Sequence, residues 1–207
     1  IGADGAASVV RKQLGLKVEG CHQAFQYIIP KRIKEIELFV DAKKFGPGYA
    51  WIFPYEKTCS VGAGTDLATP VQKRYPAAAV RARFFQWFDE RFPDAEKEFQ
   101  AFTISYDYKG HAFGNKFLIG DAGGFSSSFT GEGIYQALLT GVEVAKKIVD
   151  PTYSCPGIQR LLEIKKKEDF YLHLLEKGPT NLLFETGAFL FKRPFIGKHV
   201  LEKLSRY

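Results

Sequence analysis

Methionine is absent from all 207 residues, and the chain opens on Ile1-Gly2-Ala3-Asp4-Gly5. Together these facts predict a piece of a longer protein, or a processed one. No apolar run approaches the ~18 residues that a membrane-crossing helix needs, and no basic-then-apolar opening marks a retained signal peptide. Cysteine is scarce: Cys21, Cys59 and Cys155 are far apart and odd in number. That spacing excludes a Cys-x-x-Cys pair and a disulfide framework, and leaves buried reduced thiols as the reading. His22, His111, His173 and His199 are isolated, so no metal site is expected. Charge of one sign is also modest. Lys plus Arg (29) less Asp plus Glu (23) gives +6, and 10 basic less 6 acidic residues after Pro151 account for +4 of it. Nucleic-acid binding is not expected, because the aromatics fall in predicted core and not among the basic residues.

The chain is 45% hydrophobic, with 19 Phe and 10 Tyr, the composition of a globular protein that buries a core in one large or two small domains. Residues 8–16 read as a short helix. Four aromatic and β-branched runs at 22–30, 35–40, 49–54 and 58–65, with turns at 43–48 and 55–57, predict an antiparallel sheet. Thr69-Pro70 and Pro76 are helix-entry signals. Val80, Phe84, Phe85 and Phe88 lie at helical spacing over 77–91. Strands are expected at 102–108 and 116–120. The most regular helix is 132–149, whose apolar or small positions 134, 137, 138, 141, 142, 145, 148 and 149 form one stripe. Residues 151–207 read as helices broken at Gly178-Pro179 and Arg193-Pro194. The whole reads as α+β.

Two segments carry chemistry. Phe117-Leu118-Ile119-Gly120-Asp121-Ala122-Gly123-Gly124-Phe125 is a strand running into a glycine-rich turn. Glycine lets a ligand approach the backbone, and Asp121 can accept hydrogen bonds from ligand hydroxyls. Gly131-Glu132-Gly133-Ile134 then opens the long helix, whose free N–H groups favour an anion or a polarised carbonyl. The alternative is a plain strand–helix turn with Asp121 as an N-cap.

The pair Gly120-Asp121-Ala122-Gly123 and Gly131-Glu132-Gly133-Ile134 resembles the second flavin motif of the hydroxylase-type FAD enzymes. Ile1-Gly2-Ala3-Asp4-Gly5-Ala-Ala-Ser8-Val-Val-Arg11 resembles their Asp-Gly motif. The resemblance implies FAD as cofactor, with Asp121 on the ribityl chain and residues 131–134 beside the flavin pyrimidine edge. Asp4, Gly5 and Arg11 would touch the FAD region, with Gly120, Ala122 and Gly123 beside Asp121. A third motif, Tyr49-x-Trp51-x-Phe53-Pro54 followed after seven residues by Gly62-x-Gly64, is similar to the pattern of geranylgeranyl reductases. Tyr49, Trp51 and Phe53 alternate along a strand and share one face. By themselves they read as sheet core. With the resemblance they become one wall of a cavity for a prenyl chain, with Pro54 at its end and Gly62 and Gly64 leaving room opposite.

The resemblance covers most of residues 1–150, but only the later part of that family's usual chain. No Gly-x-Gly-x-x-Gly loop of a nucleotide-binding βαβ unit occurs. The implied fold is therefore a hydroxylase-type FAD fold lacking its N-terminal βαβ unit. FAD-binding portions would fall at 1–17 and 109–150, an antiparallel-sheet substrate domain at 18–108, and a helical region at 151–207. The implied reaction is reduction of C=C bonds in a geranylgeranyl chain, on an ether lipid, a chlorophyll precursor or a related isoprenoid. Reduced FAD would deliver the hydride, with NAD(P)H or ferredoxin as electron donor. Tyr49 and Glu132 are candidate proton donors, neither one assigned.

A monooxygenase or halogenase, a quinone-linked flavoprotein dehydrogenase, and a non-enzymatic isoprenoid- or partner-binding protein are the alternatives. The apolar segment at 181–191 lies between Lys177 and Lys192-Arg193. It is either a membrane-surface element of a cytoplasmic protein or part of a hairpin folded on the body, with Lys165–Lys167 as a solvated face.

Overall fold

The structure, a computed structural model, describes residues 1–68 and 71–177. Thr69, Pro70, the breaks at Gly178-Pro179 and Arg193-Pro194, and the 181–191 segment lie outside the described residues.

Helix α1 (Val9–Gln13) starts where the sequence places it. Ser8 Oγ accepts the Arg11 N–H at 2.9 Å, and the Asp4 carboxylate accepts the Val9 N–H at 2.7 Å. These bonds satisfy donors that a helix start leaves open. Strands β1 (Cys21–Ile29), β2 (Glu37–Phe39), β3 (Ala50–Pro54) and β4 (Cys59–Asp66) follow, with a one-turn helix α2 (Ala42–Phe45) capped by Asp41 in the expected turn. After α3 (Val71–Arg74) and α4 (Ala77–Arg91), β5 (Glu98–Ser105) completes an antiparallel sheet of order β2-β3-β4-β1-β5.

Alternation fixes what each face holds. Phe25, Tyr27 and Ile29 of β1, Val61 and Ala63 of β4, and Ala50 and Ile52 of β3 pack against Val80, Phe84 and Phe88 of α4. The Phe25 and Phe84 rings lie 5.3 Å apart, and those of Tyr27 and Phe88 4.5 Å. Each fully buried phenylalanine contributes roughly 1.5–3 kcal/mol over its exposed state.

The last strand differs from the expected 102–108. It begins at Glu98, opposite Ile28, and ends at Ser105. Residues 106–108 leave the sheet because Asp107 pairs with Arg11 at 2.9 Å. The strand expected at 116–120 is also shorter. A small hairpin of β6 (Ala112–Phe113) and β7 (Lys116–Phe117) gives way to a parallel bridge between Leu118 and Gly2, and then to a 3-10 turn over Gly120–Gly123.

Helices α5 (Ile134–Val149) and α6 (Pro156–Lys177) pack together, with Val144, Ile158 and Leu161 in a second core beside Phe125. The expected stripe is present but faces away from this core. Ile134, Leu138 and Val149 are 82%, 68% and 86% exposed, whereas Gln136, Thr140 and Glu143 are buried. The inner face is polar because its groups are bonded. Thr140 Oγ1 accepts the Gly120 N–H at 3.0 Å, and Glu143 accepts the Tyr153 hydroxyl at 2.8 Å and the Gly157 N–H at 2.7 Å. Glu143 thereby sits at the start of α6, where a carboxylate is favoured.

Candidate functional site

The first two motifs meet through the backbone. The Gly2 N–H donates to the Phe117 carbonyl at 2.7 Å, and the Ile119 N–H donates to Gly2 at 3.0 Å. The Asp-Gly segment therefore runs beside the strand that delivers Asp121. Gly120 turns the chain there with φ 51°, and a Cβ on it would lie 3.0 Å from that of Ala137. Ala122 and Gly123 are buried behind the turn.

Asp121 does not cap α5. Gly133 holds the N-cap position and no side chain bonds to it. Asp121 Oδ1 instead accepts the Ser126 hydroxyl. A Cβ on Gly133 would lie 2.7 Å from Ser126 Oγ and 3.1 Å from Asp121 Oδ1, so only glycine lets the helix start close on these two groups. Burial pushes the Asp121 carboxyl up, opposed by the Ser126 hydroxyl and the Ser105 backbone. Glu132 is exposed and Gly131 half-buried just before the helix start, while Ile134 projects outward.

The other residues of the first motif have local duties. Asp4 and Gly5 shape the entry to α1. Arg11 is 2% exposed, and its guanidinium donates to Asp107 Oδ1 at 2.9 Å, the Asp107 carbonyl at 3.0 Å, the Lys17 carbonyl at 3.1 Å and Ser105 Oγ at 3.3 Å. It ties together the two strands of chain that cross at 17–20 and 105–109.

The aromatic row lies on the sheet face away from α4. Tyr49 and Trp51 rings are 5.9 Å apart, and Trp51 stacks on Phe53 at 5.7 Å and 19°. Pro54 ends the row, opposite Cys59. The Tyr49 hydroxyl donates to the Thr130 carbonyl at 3.0 Å, joining the row to the loop before Gly131. Burial, with the Glu132 charge, pushes the Tyr49 phenol up and keeps it protonated.

The glycines opposite do not act alike. A Cβ on Gly62 would lie 2.3 Å from the Trp51 ring, whereas on Gly64 nothing is nearer than 3.8 Å. The indole of Trp51 thus fills the space above Gly62, while a Cβ on Gly64 would sit in ordinary contact with the Gln23 carbonyl and the edge of the same indole.

Two groupings escaped the sequence reading. Across four strands, Trp51 Nε1 donates to Ser60 Oγ at 2.9 Å, Ser60 to Gln26 Oε1 at 2.6 Å, and Gln26 to Gln100 Oε1 at 2.9 Å. This ladder places amide groups on a face expected to be apolar. Nearer the loop, His22 Nε2 lies 3.1 Å from the Ser128 carbonyl, which can only accept, so Nε2 carries the proton. His22 Nδ1 lies 3.5 Å from Asp66, which also accepts the Tyr106 hydroxyl at 2.9 Å. Burial pushes the imidazole down, against the Asp66 charge. Both groupings depend on strand register, which no local motif encodes.

Among the described residues no group of three or more His, Cys, Asp or Glu could hold a metal ion, and no helix is long and apolar enough to cross a membrane.

Fold and site together describe an α+β chain in which an antiparallel sheet presents an aromatic row to a glycine-rich turn and an uncapped helix start. The same fold occurs in a geranylgeranyl bacteriochlorophyll reductase-like protein from Thermoplasma acidophilum, with a TM-score of 0.55 and 19% identity over 75% of this chain and 43% of that one. By sequence, this chain is similar to two curated geranylgeranyl reductases. The digeranylgeranylglycerophospholipid reductase of Methanocella arvoryzae is 27% identical over 152 residues, 68% of this chain and 38% of that protein. The chloroplastic geranylgeranyl diphosphate reductase of Oryza sativa subsp. japonica is 30% identical over 163 residues, 72% of this chain and 33% of that protein. The chain therefore spans well under half the length of these relatives. No family model matches it.

Proposed function

We propose that this chain is the later part of an FAD-dependent oxidoreductase of geranylgeranyl reductase type, acting on C=C bonds of a prenyl chain carried by a lipid or a chlorophyll precursor. The observation that carries the proposal is the closure of Gly133 on Ser126 and Asp121 at the uncapped start of α5. The aromatic row is pinned to the same loop through Tyr49 and Thr130.

These residues fit a flavin. Asp121 offers carboxylate oxygens to ribityl hydroxyls. The open N–H groups of α5 favour negative charge at the pyrimidine edge. With FAD bound there in its reduced form, the cofactor would supply hydride to one carbon of the alkene and a nearby acid the proton to the other, with NAD(P)H or ferredoxin as the source of electrons. Tyr49, Trp51 and Phe53 exclude water and pack on the prenyl chain, with half-buried Gly64 beside them. An isolated alkene reacts only when held within about 3–3.5 Å of its partner atom, so positioning is the main task of these residues.

The exposed stripe of α5, Ile134, Leu138, Val142 and Val149, supports a further α/β unit covering it, of the kind that holds an FAD pyrophosphate. A prenyl-lipid substrate also implies contact with a membrane surface by an otherwise cytoplasmic protein. The test is an anaerobic assay of the polypeptide from its natural source with reduced FAD and a geranylgeranyl lipid, read by mass spectrometry. The proposal expects products heavier by two hydrogens for each bond reduced. Unchanged lipid alongside a bound, reducible flavin would overturn it.

A further inference from the structure

Three consecutive serines join the site loop to one face of α6. Lys165 Nζ donates to the Ser126 carbonyl at 2.8 Å, Ser127 Oγ donates to Glu168 Oε1 at 3.0 Å, and Ser128 Oγ donates to Asp169 Oδ1 at 2.8 Å. Residues 165, 168 and 169 stand three and four apart and so share a helix face. Lys165 is 4% exposed and the three serines no more than 3%. The sequence reading of 165–167 as a solvated face therefore holds for Lys166 and Lys167 only.

Ser127 organises the loop beyond it. Its N–H donates to the Glu132 carbonyl at 2.7 Å, and its own carbonyl accepts the Gly131 N–H at 3.1 Å. Its hydroxyl oxygen accepts the Thr130 N–H at 3.0 Å and the Phe129 N–H at 3.2 Å, while its hydrogen is directed at Glu168. Ser126 works in the other direction, donating to Asp121 and filling the space against Gly133. Each half of the site thus reaches α6 through one serine.

We propose that Lys165 and Glu168 are positioning residues of the flavin site: through Ser126 and Ser127 they fix the Asp121 carboxylate and the start of α5 in the geometry that receives the cofactor. The inference rests on the flavin reading of that site, and neither residue touches the cofactor. A buried ammonium is retained here because a carbonyl and two nearby carboxylates compensate it. Burial pushes Lys165 down from its ordinary value, and the charges of Asp169 and Glu168 oppose that shift. Glu168 Oε2 is buried without a partner, so Glu168 bonds Ser127 through Oε1.

The experiment compares Lys165→Met, Glu168→Leu, Glu168→Gln and the exposed control Lys166→Met in the polypeptide from its natural source. It reads FAD affinity, the absorbance bands of bound flavin, and amide exchange over residues 121–133. Lys165→Met and Glu168→Leu are expected to weaken FAD binding about tenfold each, shift the bound-flavin bands, and speed exchange in the loop while the sheet stays protected. Glu168→Gln keeps an acceptor for Ser127 and is expected to restore parental behaviour, as is Lys166→Met. If Lys165→Met does not fold, the double variant Ser127→Ala, Ser128→Ala opens the clamp from the loop side and is expected to give the same pattern. Parental affinity, spectrum and loop exchange in Lys165→Met and Glu168→Leu would overturn the proposal. If the parent binds no FAD, the flavin reading has failed. Loop exchange then decides alone whether the helix orders the loop, and unchanged exchange would sink that too.

Discussion

The Tyr49 hydroxyl donates to the Thr130 carbonyl at 3.0 Å, across 81 residues of chain. This bond joins the sheet's aromatic row to the loop that leads into α5. Tyr49→Phe removes it while leaving the ring in place. The expected loss is about 1 kcal/mol of stability, with faster amide exchange at Gly131 and Glu132 and no change in β1 or β4. Equal protection of the loop in both proteins would show that the bond does not hold it.

Gly62 and Gly64 occupy equivalent positions two residues apart and are expected to respond differently. Gly62→Ala drives a methyl into the Trp51 ring and the Phe25 carbonyl, which stand 2.3 and 2.8 Å from its Cβ position. The expected cost is about 1–3 kcal/mol in urea unfolding. Gly64→Ala meets nothing nearer than 3.8 Å and is expected to cost less than about 1 kcal/mol. Equal costs would contradict the placement of the indole.

Arg11 and Asp107, 2.9 Å apart with side chains 2% and 13% exposed, hold the crossing between the sheet and the glycine-rich turn. Arg11→Met removes the four bonds of the guanidinium but leaves Asp107 with the Glu19 N–H at 2.8 Å, the Ser105 hydroxyl at 3.0 Å and Lys109 at 3.7 Å. The expected cost is about 1–3 kcal/mol, measurable as a lower urea midpoint. Loss of FAD affinity without loss of stability would instead place Arg11 at the cofactor.

Glu143 gives a pH dependence with a definite sign. Burial pushes its carboxyl up, but bonds from Tyr153 and Gly157 and the nearby Lys146 outweigh this and leave it below the usual range. A group whose folded value is lowered stabilises the fold above its unfolded value of about 4.3, and loses that contribution as pH falls through the folded value. Thermal unfolding of the parent is therefore expected to fall below pH ~4 more steeply than that of Glu143→Gln. Parallel curves would assign the acid limb to other carboxylates.

Much of the fold was legible because alternation and helical spacing are local. The ends of β1, β3 and β4 lie within one residue of the expected runs, α4 matches at both ends, and the three aromatics do share a face. What escaped was set by partners distant in sequence. The stripe of α5 could be read as one helix face but not which way it points: the helix turns Thr140 and Glu143 inward because Gly120, Tyr153 and Gly157 bond them there. Lys165 reads as one of three surface lysines, and only the packing of α6 on the serine loop separates it from Lys166 and Lys167. In the candidate site, the motifs could name Asp121 and Gly133, but not the Ser126 hydroxyl that links them.

The most direct test of the account is an equilibrium titration of FAD into the polypeptide from its natural source, beside its Asp121→Ala variant, followed by the absorbance of the bound flavin. The account predicts one flavin per chain, shifted absorbance bands, and binding at least about tenfold weaker in the variant. A folded protein that leaves the flavin spectrum unchanged, or a variant that binds as tightly as its parent, would contradict it.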